Sequence, residues 1–157
     1  MKTVVERADI GNAREVTVLT GEFVSELINM RARANFHFNH EETEHTVRER
    51  LERSEYVTLI ARSVRGHPLG YLVMFEVRTP YISSPFAWLD QFYVRPDYRR
   101  RRVARRLIEQ ARREARKQDW RYIQLAMPAY FQLPAAERVF AREGFTDAGG
   151  KKLQLSL

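Results

Sequence analysis

The residues best suited to chemistry lie between Trp88 and Ile108, where a run of arginines follows an apolar segment that ends at Val94. The pattern predicts a strand, a short loop and an amphipathic helix that begins near Arg101. Free N–H groups at the start of a helix, with the helix dipole behind them, bind phosphate oxygens. Arginines around such a loop add charge-assisted and often bidentate hydrogen bonds. The stretch therefore predicts a binding site for a di- or polyphosphate.

The positive charge of the chain is concentrated in the same region. The net charge is +7, and residues 99–116 hold nine arginines but only two glutamates, Glu109 and Glu114. A concentrated positive field favours an anionic partner, such as a phosphorylated cofactor, a nucleic acid or a membrane surface. A solvated helix face also accounts for the charge, so charge alone does not choose among these interpretations.

The composition excludes several classes of protein. With 157 residues, of which 44% are hydrophobic and 30% charged, the chain predicts one globular domain over 1–157. It has no cysteine, which excludes disulfides, thiolate metal sites and a cysteine nucleophile. Its four histidines show no zinc-ligand spacing, so we expect no metal. Because there is no apolar run of roughly 18 residues and no signal-peptide core, we expect no membrane partner and a cytoplasmic location.

Hydrophobic periodicity predicts a mixed α/β domain in the order β, α, α, β, β, β, α, β, α, β. Three consecutive strands should form an antiparallel meander, followed by a strand–helix–strand crossover. The third helix has an apolar stripe from Val103 to Ala115 and an arginine-rich opposite face. The expected strands are 4–8, 56–63, 69–78, 86–94, 121–127 and 152–157, and the expected helices are 12–29, 41–53, 101–117 and 134–143.

The segments 94–107 and 136–145 each carry a short motif, and the two motifs resemble those of the GNAT superfamily of N-acetyltransferases. In that superfamily, a strand ending in Val-x-Pro-x-Tyr leads into Arg/Gln-x-x-Gly-x-Gly/Ala, and a later helix carries an alanine, an aromatic residue and then Gly-Phe. Residues 136–145 resemble the later motif, and the element order agrees over nearly the whole chain. The residues that match the first motif are Val94, Pro96, Tyr98, Arg99, Val103, Ala104 and Leu107.

The resemblance implies an acyl-CoA N-acyltransferase fold, a twisted and mostly antiparallel mixed sheet flanked by about four helices. It implies that an acetyl or other short acyl group moves from acetyl-CoA to a primary amine by direct attack, without a covalent enzyme intermediate. The strand over 92–94 would separate from 124–127 and expose backbone groups to the pantetheine arm, and the N–H of Val94 would polarise the thioester carbonyl. The cofactor-binding residues that the resemblance implies are Phe92, Tyr93, Val94, Arg99, Arg100, Arg101, Arg102, Val103, Ala104, Arg105, Leu133 and Phe140.

The chain departs from the superfamily pattern at three positions. Arg102 replaces the glycine of the phosphate loop. A loop that enters a right-handed helix need not adopt positive φ, so we expect arginine to fit there. We also expect cofactor binding to be retained. Phe140 replaces a tyrosine proton donor, and Leu133 replaces an asparagine. A thiol with a pKa near ~8.5 is a tolerable leaving group, so loss of the donor slows transfer without forbidding it. Tyr130 or Tyr93 could replace the donor, although packing is the commoner role of such tyrosines.

An amine that arrives as ammonium must lose a proton before it attacks. Asp90 is the leading candidate for the base, directly or through water, because strand alternation places Asp90, Phe92 and Val94 on one face. The alternative is that Asp90 simply pairs with an arginine. The candidates of second rank, in the segment between the first two helices, are His37, His40 and Glu41.

Two other functions stay open at this point. A catalytically degenerate domain would bind acyl-CoA without turnover, and Arg102 and Phe140 motivate that alternative. A nucleic-acid-binding domain would use the arginine face of helix 101–117, but the chain has no recognisable reading motif, so this is the less favoured alternative. The amine acceptor, in a small molecule or in a protein or peptide, leaves no signature in the sequence. The expected strand over 152–157 offers an edge for pairing, and a homodimer is a further expectation.

Overall fold

The computed structural model describes residues 1–30, 36–126, 134–151 and 153–157. A five-stranded sheet lies at the centre of this part of the chain, in the order β1-β2-β3-β4-β5. The first four strands pair antiparallel, and β5 pairs parallel with β4. The strands are β1 (Thr3–Arg7), β2 (Tyr56–Ser63), β3 (Pro68–Val77), β4 (Phe86–Val94) and β5 (Ile123–Gln124). This arrangement confirms the mostly antiparallel mixed sheet.

Four helices flank the sheet within the described residues, as expected. They are α1 (Ala13–Asn29), α2 (His40–Leu51), α3 (Val103–Lys117) and α4 (Pro134–Arg142), and short 3₁₀ turns at Ile10–Asn12 and Pro96–Tyr98 precede α1 and α3. Local sequence chemistry fixes the start of α2, because the side chain of Asn39 accepts a hydrogen bond from the N–H of Glu42 at 3.0 Å. None of the described helices is long and apolar enough to cross a membrane.

Apolar side chains cover both faces of the sheet. On one face, Val103 and Leu107 of α3 are buried against Leu72 of β3. On the other face, Leu19 of α1 is buried in a cluster with Tyr71 of β3. Each buried aliphatic side chain stabilises the fold by about 1.5–3 kcal/mol relative to exposure. The two layers therefore hold β3 and β4 firmly between α3 on one side and α1 and α2 on the other.

The expected sixth strand over 152–157 is wrong for the residues that the structure describes. Residues 153–157 form no strand, and Leu153 and Leu155 are fully exposed. Alternating leucines fit a strand pattern, but a strand also needs a paired neighbour, and no described strand pairs with this segment. The expected strand over 121–127 is likewise reduced to Ile123–Gln124 among the residues described up to 126. The homodimer stays a prediction, without the edge strand on which it rested.

Candidate active site

Among the described residues, β4 and β5 pair over a short stretch at the start of β4. The two strands pair at two positions, Ala87 with Ile123 and Trp88 with Gln124. No described residue after Gln124 continues this ladder. Within the described residues, the second half of β4 therefore has no strand partner on this edge, and the expected separation at 92–94 stays a prediction.

Two backbone N–H groups of β4 point into this cleft. The N–H of Arg95 donates to the carbonyl oxygen of Leu69, in β3, over 2.9 Å. Successive N–H groups of an antiparallel strand point to opposite edges, so those of Phe92 and Val94 point away from β3. Within the described part of the chain, neither group has a strand partner on that side. Each can donate a hydrogen bond to a separate carbonyl oxygen of a ligand, because alternate residues of a strand are about 6.6 Å apart.

The side chain of Arg99 closes the end of the same edge. Its Nε donates to the carbonyl oxygen of Val94 over 2.8 Å, and its Nη2 binds the carboxylate of Glu26 on α1. The guanidinium also lies 5.8 Å from the ring centroid of Tyr93. Arg99 was predicted to bind cofactor, but its guanidinium contacts protein groups and joins the end of β4 to α1.

The loop between β4 and α3 contains two residues in the left-handed region. Arg100 has φ = 62° and Arg102 has φ = 64°. The expectation that this loop does not need positive φ at Arg102 is wrong, because the chain must reverse its turn at that residue to enter α3. Alternating handedness over successive residues turns backbone N–H groups inward and forms an anion-binding concavity. Each non-glycine residue held in this region costs about 1–2 kcal/mol, and such strain is concentrated at functional sites.

Positive side chains surround this concavity. Arg100, Arg101 and Arg102 are exposed and form no ion pair with any described residue. Arg102 is the N-cap of α3 and makes no side-chain capping bond, so the first N–H groups of the helix stay available to a ligand. By contrast, Arg105 is paired with Glu109 at 3.0 Å. The loop can thus bind a diphosphate through backbone N–H groups and the three free guanidinium groups of residues 100–102.

Aromatic side chains line the cleft on its α3 side. The ring of Phe140 on α4 is buried, and its centroid lies 5.3 Å from that of Phe92 and 5.3 Å from that of Phe145. Phe140 has no proton to donate. Tyr130 and Leu133 lie outside the described residues, so the proposed proton donor stays a prediction.

A β-bulge reorients Asp90. Gln91 pairs with Val73 and Leu89 pairs with Met74, so Asp90 is an extra residue in β4. The carboxylate of Asp90 consequently faces α2, whereas Phe92 packs in the α3 layer. The expectation that Asp90, Phe92 and Val94 share a face is therefore wrong, because an inserted residue shifts the alternation of the strand.

Asp90 is engaged by two neighbouring side chains. Its Oδ2 lies 3.6 Å from Nη1 of Arg50 on α2 and accepts a hydrogen bond from Nε2 of Gln91 at 3.4 Å. The hydroxyl of buried Tyr71 donates to Oε1 of Gln91 over 2.6 Å, which fixes the amide with its N–H₂ toward the carboxylate. Burial is the main reason that the pKa of Tyr71 is raised, and the negative charges of Asp90 and Glu22 raise it further. The hydroxyl of Tyr71 therefore stays a donor at neutral pH.

A cavity of about 290 Å³ lies beside this cluster, between the sheet and the first two helices. Thr58, Val73 and Gln91 of the sheet form its floor, and Arg50 of α2 forms part of its wall. His37 lies at the cavity, with its Nε2 3.8 Å from the carboxylate of Glu42. His40 is paired with Glu44 at 3.8 Å, and Glu41 is exposed. Among the described residues, no cluster of histidine, aspartate and glutamate could hold a metal ion.

Tyr93 lies apart from the other residues that are predicted to bind the cofactor. Its ring is buried in the α1 layer and lines a broad groove of about 740 Å³ with Arg99 and Pro96. Alternation directs its N–H toward β3, so neither its backbone donor nor its ring faces the cleft between β4 and β5. Burial, and to a smaller extent the charges of Glu22 and Glu26, raises the pKa of its hydroxyl.

The geometry agrees with a comparison of the sequence with known families. A family model described as the acetyltransferase (GNAT) family matches residues 24–145. The chain belongs to the GNAT acetyltransferase family. Among curated proteins, none matches the chain significantly.

Solved structures share the GNAT fold over almost the full chain. The ribosomal-protein-alanine N-acetyltransferase from Brucella melitensis biovar Abortus 2308 is 16% identical, with a TM-score of 0.75 and 100% of both chains covered. AAC(6')-Iy, solved with the bisubstrate analogue CoA-S-monomethyl-acetylneamine, is 16% identical, with a TM-score of 0.80 over 100% of this chain and 99% of that one. A predicted acetyltransferase from Clostridium acetobutylicum, solved with acetyl-CoA, is 16% identical, with a TM-score of 0.77 over 99% and 96%. At these identities the likeness shows the fold alone.

The GNAT domain brings some of the predicted site residues together and separates others. Phe92 and Val94 lie on the cleft side of β4, and Arg100 to Arg102 lie at its end, next to the start of α3. Val103 and Ala104 are packed into the α3 layer, so only their backbone can reach a ligand. Sequence reasoning missed four side chains, because they lie on four different elements and only the fold brings them together: Arg50, Thr58, Tyr71 and Gln91.

Proposed function

We propose that this GNAT domain transfers an acetyl group from acetyl-CoA to a primary amine. The observation that carries the proposal is the edge of β4 that has no partner among the described residues and that leads directly into the loop Arg100–Arg102. An exposed strand edge binds an extended chain through backbone hydrogen bonds, and the pantetheine arm of CoA is an extended chain with amide groups. The pyrophosphate at the end of that arm would meet the N–H groups and free arginines of the loop.

The chemical step requires an oxyanion donor and a base. The amine nitrogen attacks the thioester carbon, a C–N bond forms, and the C–S bond breaks to release CoA thiolate. The N–H of Val94 would stabilise the negative charge on the carbonyl oxygen during attack. Asp90, which lies 3.6 Å from Arg50, would accept the proton of the amine, directly or through water. Tyr130 is a candidate to protonate the thiolate, which is tolerable as a leaving group without help.

The structural neighbours support an amine acceptor without selecting one. AAC(6')-Iy was solved with an acetylneamine analogue, and the aminoglycoside acetyltransferase meta-AAC0020 from an uncultured soil metagenomic sample was solved with sisomicin. Another neighbour is named for the alanine of a ribosomal protein. Both small-molecule and protein amines are therefore compatible with this fold. We further propose a cytoplasmic location, as expected in the sequence analysis.

The test combines binding and turnover. We expect calorimetric titration with acetyl-CoA to show saturable binding at one site, and a panel of amines to include acceptors that release free CoA thiol. Arg101→Gln should weaken acetyl-CoA binding about fivefold, whereas Arg116→Gln should leave it unchanged, because Arg101 lies in the loop and Arg116 lies near the far end of α3. An absence of acetyl-CoA binding by the wild type would contradict the proposal.

A second candidate is a domain that binds acyl-CoA without turnover. It is favoured by Phe140, which is buried at the cleft and cannot donate a proton, and by the pairing of Asp90 with Arg50. Saturable acetyl-CoA binding with no thiol release from a broad amine panel would support this candidate over the enzyme.

A further inference from the structure

We propose that the acceptor is a free α-amino acid, bound as a zwitterion between Arg50 and Asp90 in the cavity beside β4. The proposal rests on the acetyl transfer proposed above and specifies its acceptor. It concerns the cavity of about 290 Å³ between α1, α2 and the floor of the sheet, which we call the acceptor cavity. A cavity of this size suits a small polar molecule rather than a folded protein surface.

Arg50 lines the acceptor cavity and is paired with Asp90 behind it, and the charges of these two residues are complementary to those of an amino acid. Nη1 of Arg50 and Oδ2 of Asp90 are 3.6 Å apart, a loose contact that leaves further N–H donors of Arg50 free. In an α-amino acid, the nitrogen and the carboxylate carbon are about 2.5 Å apart, because one carbon separates them. An amino acid laid against the pair can therefore place its carboxylate on Arg50 and its ammonium on Asp90.

The guanidinium of Arg50 is held ready for such a contact. It lies over the ring of Tyr56, with its Cζ 5.1 Å from the ring centroid. Stacking on an aromatic face leaves the edge of the guanidinium, where its N–H groups point, available for a bidentate contact to a carboxylate. The other charged residues at the acceptor cavity are Glu42 and His37, which are paired with each other at 3.8 Å.

The floor of the acceptor cavity offers polar groups to a ligand. Thr58 is 5% exposed and lines the cavity, and Gln91 lines it as well. A hydroxyl and a side-chain amide can each donate and accept hydrogen bonds. Both side chains are placed to bind polar atoms of the occupant.

The same arrangement brings the amine to the reaction. Asp90 is the bulged residue, two positions before Phe92, whose N–H points into the cleft between β4 and β5. An ammonium on Asp90 would thus lie at the boundary between the acceptor cavity and the cleft. A polycationic amine fits less well, because it would bring further positive charge against Arg50.

The experiment compares matched acceptors with wild-type protein and acetyl-CoA, with thiol release as the readout. Each acceptor pair consists of an L-α-amino acid and its α-amide, which keeps the side chain and the amine but lacks the negative charge. We expect kcat/KM to favour the best amino acid at least tenfold over its amide. Intrinsic reactivity works in the opposite direction, because the less basic amine of the amide is more deprotonated at neutral pH.

Two variants assign the preference to Arg50. Arg50→Gln should raise KM for the amino acid more than tenfold and change kcat/KM for the amide less than threefold. Arg48→Gln is the matched control, because Arg48 lies on the same helix and is paired with Glu44 outside the acceptor cavity. It should leave both acceptors unchanged, and circular dichroism should confirm that both variants are folded.

The outcomes separate the two proposals. Equal use of amino acid and amide, or better use of a peptide amine, would overturn the amino acid as acceptor and leave acetyl transfer standing. If acetyl-CoA binds but no acceptor reacts, amino acid binding is measured directly by NMR titration in the presence of CoA. Absence of Arg50-dependent binding in that titration would overturn the inference. Failure of acetyl-CoA to bind at all would instead overturn the proposed function.

Discussion

Nε of Arg99 donates a hydrogen bond to the carbonyl oxygen of Val94 over 2.8 Å, across the turn that separates β4 from α3. The contact satisfies the last carbonyl group of the open edge, while the N–H of the same residue stays available in the cleft. Since the guanidinium also binds Glu26, it connects three elements of the fold: β4, the loop and α1. A side chain that the motif assigns to the cofactor thus stabilises the shape of the site in the unliganded protein.

Replacement of Arg99 by alanine should destabilise the protein. The variant loses a charged hydrogen bond to Val94 and leaves Glu26 without its partner, which should cost about 1–2 kcal/mol for this part-exposed group. In a chain of this length, that change lowers Tm by about 2–8 °C. Calorimetric melting measures the shift, and Arg101→Ala is the control, because Arg101 has no described partner and should melt like the wild type. An unchanged Tm in Arg99→Ala, with weaker acetyl-CoA binding, would show that Arg99 acts on the cofactor instead.

Replacement of Arg102 by glycine should stabilise the protein and weaken cofactor binding. Glycine adopts φ = 64° without the steric strain that arginine has there. Glycine also loses more backbone entropy on folding, so the net stabilisation of the folded protein is about 0.5–1 kcal/mol. Loss of one guanidinium should raise the Kd for acetyl-CoA about fivefold at low salt, and less at high salt. Urea unfolding and calorimetric titration measure the two effects.

The control for this prediction is Arg101→Gly. Arg101 is not among the described residues with positive φ, so glycine there brings only an entropic cost and should not stabilise the fold. Tighter acetyl-CoA binding by Arg102→Gly would mean that the arginine side chain obstructs the pyrophosphate.

The sequence predicted the elements better than the details of the site. The bounds of β2 and β4 follow directly from runs of β-branched and aromatic residues, and the stripe of α3 follows from its 3.6-residue period. The bulge at Asp90 was not predictable, because it depends on the register between β3 and β4 and leaves no mark in the sequence of β4. The positive φ of Arg102 was also missed, since arginine gives no sign of a backbone conformation that favours glycine.

Replacement of Asp90 by asparagine should abolish most turnover while acetyl-CoA binding is kept. Asparagine preserves the volume but cannot accept the proton of the amine, and loss of a positioned base typically lowers kcat by about 10²–10⁴-fold. The Kd for acetyl-CoA should stay within about twofold, because Asp90 faces α2 and not the phosphate loop. Glu49→Gln, an exposed carboxylate paired with His45 on α2, is the matched charge control and should keep full activity. Full activity of Asp90→Asn would remove Asp90 as the base and return attention to His37.

The buried hydroxyl of Tyr71 should make the stability of the protein depend on alkaline pH. Burial raises the pKa of Tyr71 in the folded protein, whereas the phenol ionises at about 10 in the unfolded chain. The unfolded chain therefore loses a proton that the native state keeps, so the stabilising contribution is complete below about pH 10 and decreases as the pH rises further. The expected slope from this one group is about 1.4 kcal/mol per pH unit.

Urea unfolding between pH 8 and about 11.5 measures this slope. Tyr71→Phe should reduce the slope by that amount. Tyr81→Phe is the control, because it removes a tyrosine that is 83% exposed, and it should leave the slope unchanged. The same slope in Tyr71→Phe and wild type would show that the hydroxyl ionises as easily in the folded protein as in the unfolded chain, and the fixed orientation of Gln91 toward Asp90 would lose its support.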